Sequence, residues 1–499
     1  MRYKEYRIQN TEYRIQNAEY RIQNTEYRIQ NAECREQRIE KMNQTRVILL
    51  ELNELCPNLM DRFINEGHLP NFKRLRDQAN CFITDTQCDT EYLEPWIQWV
   101  TLHTGLRYEE HQVYRLGQSQ QLDQDSIWNI TSRKGMKNWI CGSMNVRIDH
   151  NDENTWVLPD PWTLDTEPNP KELMPFYKFV CSNVQEHTNE GFKLSLGDYG
   201  KFLFFMLKNG LSIKAIVKII TQLTKEVVKA PDRWKKAMLL DALQWDVFKH
   251  VYKKNKPDLA TFFSNSTAHF QHKYWRYMEP DKFSLEIDPK EIKKFQGAVL
   301  YGYKNHDEIV GQALDLADKN TVIILATALS QQPFLAKEEE GGKRFHRPHE
   351  IQKIPDIFGL QGIVQVSPVM SHQFHLICES KVSADIAEDV LQNLMVDDEK
   401  LFMVNREGDS LFVGCLISRP LLGNEKILVK NEVLLFSDIF YLADNLKSGG
   451  HHPHGIFWVS KLGRPYCKFE DILPLENTTS LILKELGIDD EINKIVKVA

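Results

Sequence analysis

Val47-Ile48-Leu49-Leu50-Glu51-Leu52-Asn53-Glu54-Leu55-Cys56-Pro57 is the stretch whose reading decides the fold. Val47 to Leu52 form a near-continuous apolar run, the pattern of a strand covered on both faces in a helix-flanked parallel sheet. The run ends in polar Asn53 and Glu54 just before Pro57, so chemistry-bearing side chains collect at the strand's carboxyl end. Open α/β sheets gather their ligands at that edge. Downstream come Leu69-Pro70-Asn71-Phe72-Lys73-Arg74-Leu75, then Val100-Thr101-Leu102-His103-Thr104-Gly105, then a second core strand in Lys137 to Gly142. Leu158-Pro159-Asp160-Pro161-Trp162 reads as a rigid loop leaving the core. Near the C-terminus, Ser448-Gly449-Gly450-His451-His452-Pro453-His454-Gly455-Ile456-Phe457 is a Gly-rich loop carrying three histidines.

The chain has 499 residues, more than one hydrophobic core usually fills, which predicts a large domain with an inserted subdomain. Its net charge of −7, with no Lys/Arg block longer than Lys235-Lys236 or Lys253-Lys254, argues against nucleic acid as a partner. Nine cysteines, odd in number and without C-x-x-C spacing, read as reduced thiols of a cytoplasmic protein. No apolar run predicts a transmembrane helix, and no h-region predicts a signal peptide.

Residues 1–45 are dominated by Glu-Tyr-Arg-Ile-Gln-Asn-Thr/Ala copies. Tyr and Ile fall two and then five apart, which does not make a coiled-coil seam, so a solvated tail is expected. An α/β core is predicted over 46–169, interrupted by a helical insertion over 170–256. There Leu211, Ile213, Ile216, Ile219, Ile220, Leu223, Val227 and Val228 lie near a 3.6 period with lysines between them. A cap packed over the site is one reading of this insertion; peripheral contact with a membrane surface is the other. The core resumes over 257–370 with the strand Thr321-Val322-Ile323-Ile324-Leu325. A small α+β subdomain over 371–420 includes a hairpin around Glu407-Gly408-Asp409, and 421–499 rejoin the main sheet. His372 and His375 alternate on a strand of that subdomain and read as packed or exposed.

The order of these pieces resembles the alkaline phosphatase superfamily, in its type I phosphodiesterase and nucleotide pyrophosphatase branch, from about Arg46 to the C-terminus except for the insertion. The resemblance implies an alkaline-phosphatase-like, mostly parallel sheet flanked by helices. It also implies a two-metal site with a Thr or Ser nucleophile, acting on a phosphate or sulfate ester. Uncharacterised relatives suggest a setting in surface-polysaccharide or nucleotide-sugar metabolism.

Several positions depart from the family pattern. Asn53 stands where the family has a metal-binding aspartate, with Glu51 and Glu54 beside it. Counting back from Thr104-Gly105, the nucleophile falls at Pro95, which has no nucleophilic atom. Glu94 then becomes the expected helix N-cap, either a plain cap or a metal ligand, base or nucleophile. In Phe263 to Trp275, aligning on Trp275 makes His272 the metal histidine with Ala268 in place of an aspartate; aligning on spacing pairs Asn265 with His269 instead. Where the family has Ser-Asp-His-Gly, this chain has Ala326-Thr327-Ala328-Leu329-Ser330-Gln331-Gln332. His451 matches the last metal histidine.

The expected site is therefore Asn53, Glu54 and Glu94 for catalysis and Asn265, His269, His272 and His451 for one divalent ion, best Zn²⁺. Arg344 and Arg347 in Lys343 to His349 are expected to bind the anionic group of a small phosphorylated or sulfated substrate. The rival expectation is a pseudoenzyme that keeps the fold and binds a phosphorylated or glycan ligand, or a protein partner, without turnover.

Overall fold

The computed structural model describes residues 44–489 apart from 150–151, 164–165, 186–193, 229–233, 370–372, 430–431 and 445. The N-terminal repeat and His372 lie outside the described residues.

The strand at the centre is β1 (Arg46–Leu52), and Val47 to Leu52 are wholly buried. It pairs in parallel with β5 (Leu259–Ser264) on one side and β6 (Thr321–Ala326) on the other. Beyond β5 lie β3 (Asn138–Cys141) and β4 (Thr155–Leu158), also parallel. Beyond β6 lie the strand His454–Lys461 and then β2 (Ala79–Asp85). His454–Lys461 runs antiparallel to both its neighbours, so its start lies at the carboxyl edge of the parallel strands. That polarity brings the Gly-rich histidine loop beside Asn53.

Alternation along β1 splits the core in two. Ile48, Leu50 and Leu52 join one apolar cluster with Phe262, Trp245, Phe248 and Tyr303; Val47 and Leu49 join the other with Trp99, Trp128 and Leu483. Each fully buried Leu or Ile contributes about 1.5–3 kcal/mol, so the two-sided run anchors the sheet.

The insertion forms the helices Met174–Gln185, Leu196–Lys208, Ile213–Val228 and Ala237–Asn255. Its inward residues Phe176, Phe205, Met206 and Ala215 pack into the first cluster, so it covers a sheet face, and no residue of these helices lines the site cleft. The far wall of the cleft comes instead from the small α+β part. Its own apolar cluster reaches from Ile351 to Phe440, wider than the hairpin signals at 371–420 suggested. The hairpin lies where expected, Phe402–Glu407 against Ser410–Cys415 with Glu407 opposite Ser410. Among the described residues no helix is long and apolar enough to cross a membrane.

Candidate metal centre and its cleft

The carboxyl end of β1 is fastened to the helix Pro95–Thr104 by two polar ties. Glu51 and Asn53, two apart on the strand, meet His103 and Trp99, four apart on the helix. His103 Nε2 lies 2.8 Å from Glu51 Oε1, and the Trp99 indole donates to Asn53 Oδ1 at 2.8 Å. Asn53 is fully buried, and its amide donates to Glu54 Oε1 and to Asn265 Oδ1, both at 2.7 Å. Asn53, expected as a catalytic residue, is held here by three side-chain hydrogen bonds. Its one acceptor oxygen already takes the Trp99 indole, and its two donors organise neighbouring side chains.

Glu54 sits in a left-handed turn, φ 59°, a conformation that a non-glycine residue adopts only where surroundings impose it. Those surroundings are a buried relay: Gln271 donates to the Glu54 carbonyl at 2.7 Å, the Tyr303 hydroxyl donates to Gln271 Oε1, and the Cys56 N–H donates to that hydroxyl. The turn aims Glu54 Oε2 at His272 Nε2, 3.1 Å away, and at His451 Nε2, 3.5 Å away, while Gln331 donates to the same oxygen at 2.5 Å. The ligand atoms of Glu54, His272 and His451 lie within 4.8 Å of one another.

Burial acts to raise the Glu54 carboxyl, but the charges of His451 and His272 and the hydrogen bonds from His272 and Gln331 outweigh it and hold it at about 2. Burial pushes the His451 imidazole down to about 4, against the pull of Glu54. His272 Nδ1 lies 2.9 Å from the Gly449 carbonyl, which can only accept, so Nδ1 carries a proton and Nε2 is the ring nitrogen that faces Glu54. A carboxylate with two imidazole nitrogens beside it can take a divalent ion in place of the ring protons that otherwise face it, and the bond from Nδ1 to the carbonyl leaves Nε2 of His272 as the ligand atom. Two histidines and one carboxylate are a three-ligand set of the kind that holds catalytic zinc.

Among the described residues, Glu54, His272 and His451 are the one such cluster of carboxylate and imidazole groups. The positions around Glu54 that would serve a second metal are the amides Asn53, Asn265 and Gln331, with Gln331 also bonded to the Ala268 carbonyl at 3.0 Å. Thr327 spends its hydroxyl on the Ile456 N–H. These neutral groups spend their hydrogen bonds on one another, on Glu54 and on backbone atoms, and supply no anionic ligand to a further divalent ion.

Glu94 is the N-cap of the helix Pro95–Thr104, but its side chain makes no capping bond. Its Oε2 instead lies 3.6 Å from His451 Nδ1, and about a third of the side chain (34%) is exposed to the cleft. Burial raises its carboxyl to about 7; Lys447 opposes the shift and Glu54 reinforces it. The cleft these groups share encloses about 870 Å³. Lys343, Phe345 and Arg347 line it with Lys447, and burial depresses both lysines, Glu94 pulling each the other way. Trp96, Tyr114, Phe412 and Tyr441 add apolar wall, and Arg115, Gln373, His375 and Asn405 lie on the side of the small α+β part. His375, read as packed or exposed, is buried enough that its imidazole falls to about 3, with Arg115 adding to the effect.

The cleft lining includes Asn265, His269, Arg347, Glu54, Glu94, His272 and His451. His269 is an exposed residue of the cleft wall outside the close cluster of carboxylate and imidazole groups, and Asn265 Oδ1 accepts from Asn53. Arg344, expected to bind the anionic group, donates from its guanidinium to the Gly341 carbonyl at 2.6 Å, while Lys343 and Arg347 line the cleft. The reason is strand parity: Lys343, Phe345 and Arg347 share one side, whereas His346 points the other way, buried, its Nδ1 2.8 Å from the Ile417 carbonyl. Period-two alternation was the available signal for preferring Lys343. Glu54 belongs with the histidines rather than apart from them, and only the backbone turn reveals it. Nothing in the sequence around Lys447 marks it as a cleft residue.

The mostly parallel sheet is of the alkaline-phosphatase-like class, and carboxylate, imidazole and ammonium groups gather at its carboxyl edge. Within that class, the chain belongs to the type I phosphodiesterase / nucleotide pyrophosphatase family, whose model matches residues 47–333. Among solved structures it is similar to murine ectonucleotide pyrophosphatase / phosphodiesterase 5, at 11% identity over 89% of this chain and 95% of that one, with a TM-score of 0.41. It is also similar to phosphonoacetate hydrolase from Sinorhizobium meliloti 1021, solved with phosphonoformate, at 10% identity over 89% and 96%, with a TM-score of 0.42. No curated protein sequence matches the chain.

Proposed function

We propose that the chain is a single-metal phosphoester hydrolase of this family, acting on a small phosphorylated substrate, with sulfate esters as the neighbouring class. The observation that carries the reading is the convergence of Glu54, His272 and His451 opposite Glu94 in a cleft walled by Lys343 and Lys447. Those three ligands would hold one divalent ion, best zinc, which when bound would polarise a phosphoryl oxygen. Lys343, Lys447 and Arg347 supply positive charge for the non-bridging oxygens. Glu94, titrating near neutrality, accepts the proton of an attacking water at Oε2 as the ester oxygen departs. The aromatic and amide groups of the outer wall suit a sugar or nucleoside on the leaving side, consistent with a role in polysaccharide or nucleotide-sugar metabolism.

One observation favours a second reading, ligand binding without turnover: Pro95 stands at the nucleophile position and buried amides fill the second metal's place. Metal analysis of the purified chain, with hydrolysis of p-nitrophenyl phosphate, its phosphodiester and its sulfate, separates the two. The hydrolase reading expects about one ion per chain and a turnover that Glu54→Gln and Glu94→Gln each abolish. Stoichiometric metal with no turnover of any ester would leave the binding reading. No metal at all would sink the proposed centre.

A further inference from the structure

The insertion shows solvent a face that the cleft does not explain. On the helix Leu196–Lys208, Leu196, Leu203 and Leu207 recur at helical spacing with Phe204 beside them; on Ile213–Val228, Ile213, Val217 and Ile220 do the same. Leu196 is 92% exposed, Ile213 80% and Phe204 69%. Both helices turn Phe205, Met206 and Ala215 into the same core cluster, so the opposite sides, with these stripes, both face outward. Isolated exposed leucines are ordinary, but seven large apolar side chains turned to solvent on two consecutive helices are more than scatter.

Charge says what the patch meets. Residues 171–236 hold twelve Lys and Arg against six Asp and Glu, in a chain whose net charge is −7. Lys214 and Lys218 are paired to Glu308 at 3.0 and 2.7 Å, while Lys201 and Lys208 are exposed beside the stripe on the first helix. Apolar stripes rimmed by lysines, on helices that do not meet the requirements for spanning a membrane, have the character of surface-lying amphipathic helices.

We propose that this pair of helices seats the protein on an anionic lipid surface. The apolar stripes enter the headgroup boundary, and the local cationic surplus meets the lipid phosphates. A protein partner would not need that surplus. A second copy of the same face would bring like charges together.

The test is sedimentation of the full chain with vesicles of phosphatidylcholine alone and of equal parts phosphatidylcholine and phosphatidylglycerol. Binding is expected to the anionic vesicles and to fall by about tenfold or more in Phe204→Ser/Leu207→Ser, at unchanged melting temperature. Lys201→Glu/Lys208→Glu is expected to weaken the preference for anionic lipid, and high salt to weaken it in the parent chain. All four positions are exposed, so none of these changes disturbs the core. No binding to either vesicle, binding that the serine variants retain, or self-association in ultracentrifugation that they abolish would each overturn the proposal.

Discussion

Lys447 and Arg344 differ by where a backbone places them, and that difference makes the sharpest residue-scale prediction. Lys447 lines the cleft near Glu94, whereas Arg344 donates to the Gly341 carbonyl. Lys447→Met is expected to lower kcat/KM for a phosphoester by about ten- to a hundredfold, the value of one charge-assisted contact. Arg344→Ala should change it by less than about twofold. Steady-state kinetics on both variants checks this, and the opposite ranking would put the anion site on the wrong side of the strand.

Asp160 offers a residue-scale prediction free of the metal centre. It is buried at the loop leaving β4, where its carboxylate accepts from the Trp162 and Thr163 N–H groups and the Thr163 hydroxyl. Burial nevertheless raises its carboxyl from 3.8 to about 6, with these bonds opposing. The folded state therefore keeps a proton that the unfolded chain releases, so Asp160 costs stability as pH rises from about 4 to 6 and nothing further above that. Asp160→Asn should remove a contribution of about 3 kcal/mol across that window, an order-of-magnitude figure. Denaturant midpoints of parent and variant are expected to converge at low pH and separate toward neutrality. A constant difference across the range would refute the shift.

At the scale of elements, the site depends on close contacts between segments distant in sequence. Gly449 passes so near the helix Ser266–Met278 that an added Cβ would lie 2.6 Å from the Gln271 carbonyl oxygen and collide with Gln331. Both neighbours belong to the scaffold of Glu54. Gly449→Ala is therefore expected to cost about 1–3 kcal/mol from overpacking and to weaken metal binding, read by thermal melts and metal titration. Trp99→Phe probes the tie between helix and strand. It leaves Asn53 Oδ1 buried without a donor, at about 1–3 kcal/mol, and loosens the end of β1 that carries Glu54. A variant as stable and as metal-competent as the parent would show that the tie is dispensable.

At the scale of the whole molecule, the three metal-ligand candidates come from the first core strand's turn, the helix after β5 and the loop before the last long strand. An ion shared by Glu54, His272 and His451 would join the first and last thirds of the chain. Chelation should then lower the melting temperature of the parent, by an amount equivalent to about 3 kcal/mol where free metal stands a hundredfold above Kd. The His272→Ala/His451→Ala variant should melt alike with and without chelator. Equal melting of parent and chelated parent would exclude such a cross-link.

By itself the sequence determined the sheet, because a two-sided apolar run such as Val47 to Leu52 can only be satisfied in the middle of a covered sheet. It likewise set where the chain departs from the family pattern, since Asn53, Pro95 and the segment Ala326 to Gln332 change chemistry whatever surrounds them. The helical period of the insertion was legible too, though not which stripe is buried, because Ile219 and Ile220 are alike in composition and differ only in what lies beside them. Only the tertiary structure placed Asn53 against Trp99 and Asn265, Glu54 beside the histidines, and Lys343 and Lys447 in the wall of the cleft. These placements depend on side-chain direction and on contacts between segments remote in sequence, as when Gln331 meets Glu54 and Gly449 fixes His272. Local spacing encodes period and turn, but distances of 3 Å between remote segments exist only once the core has packed.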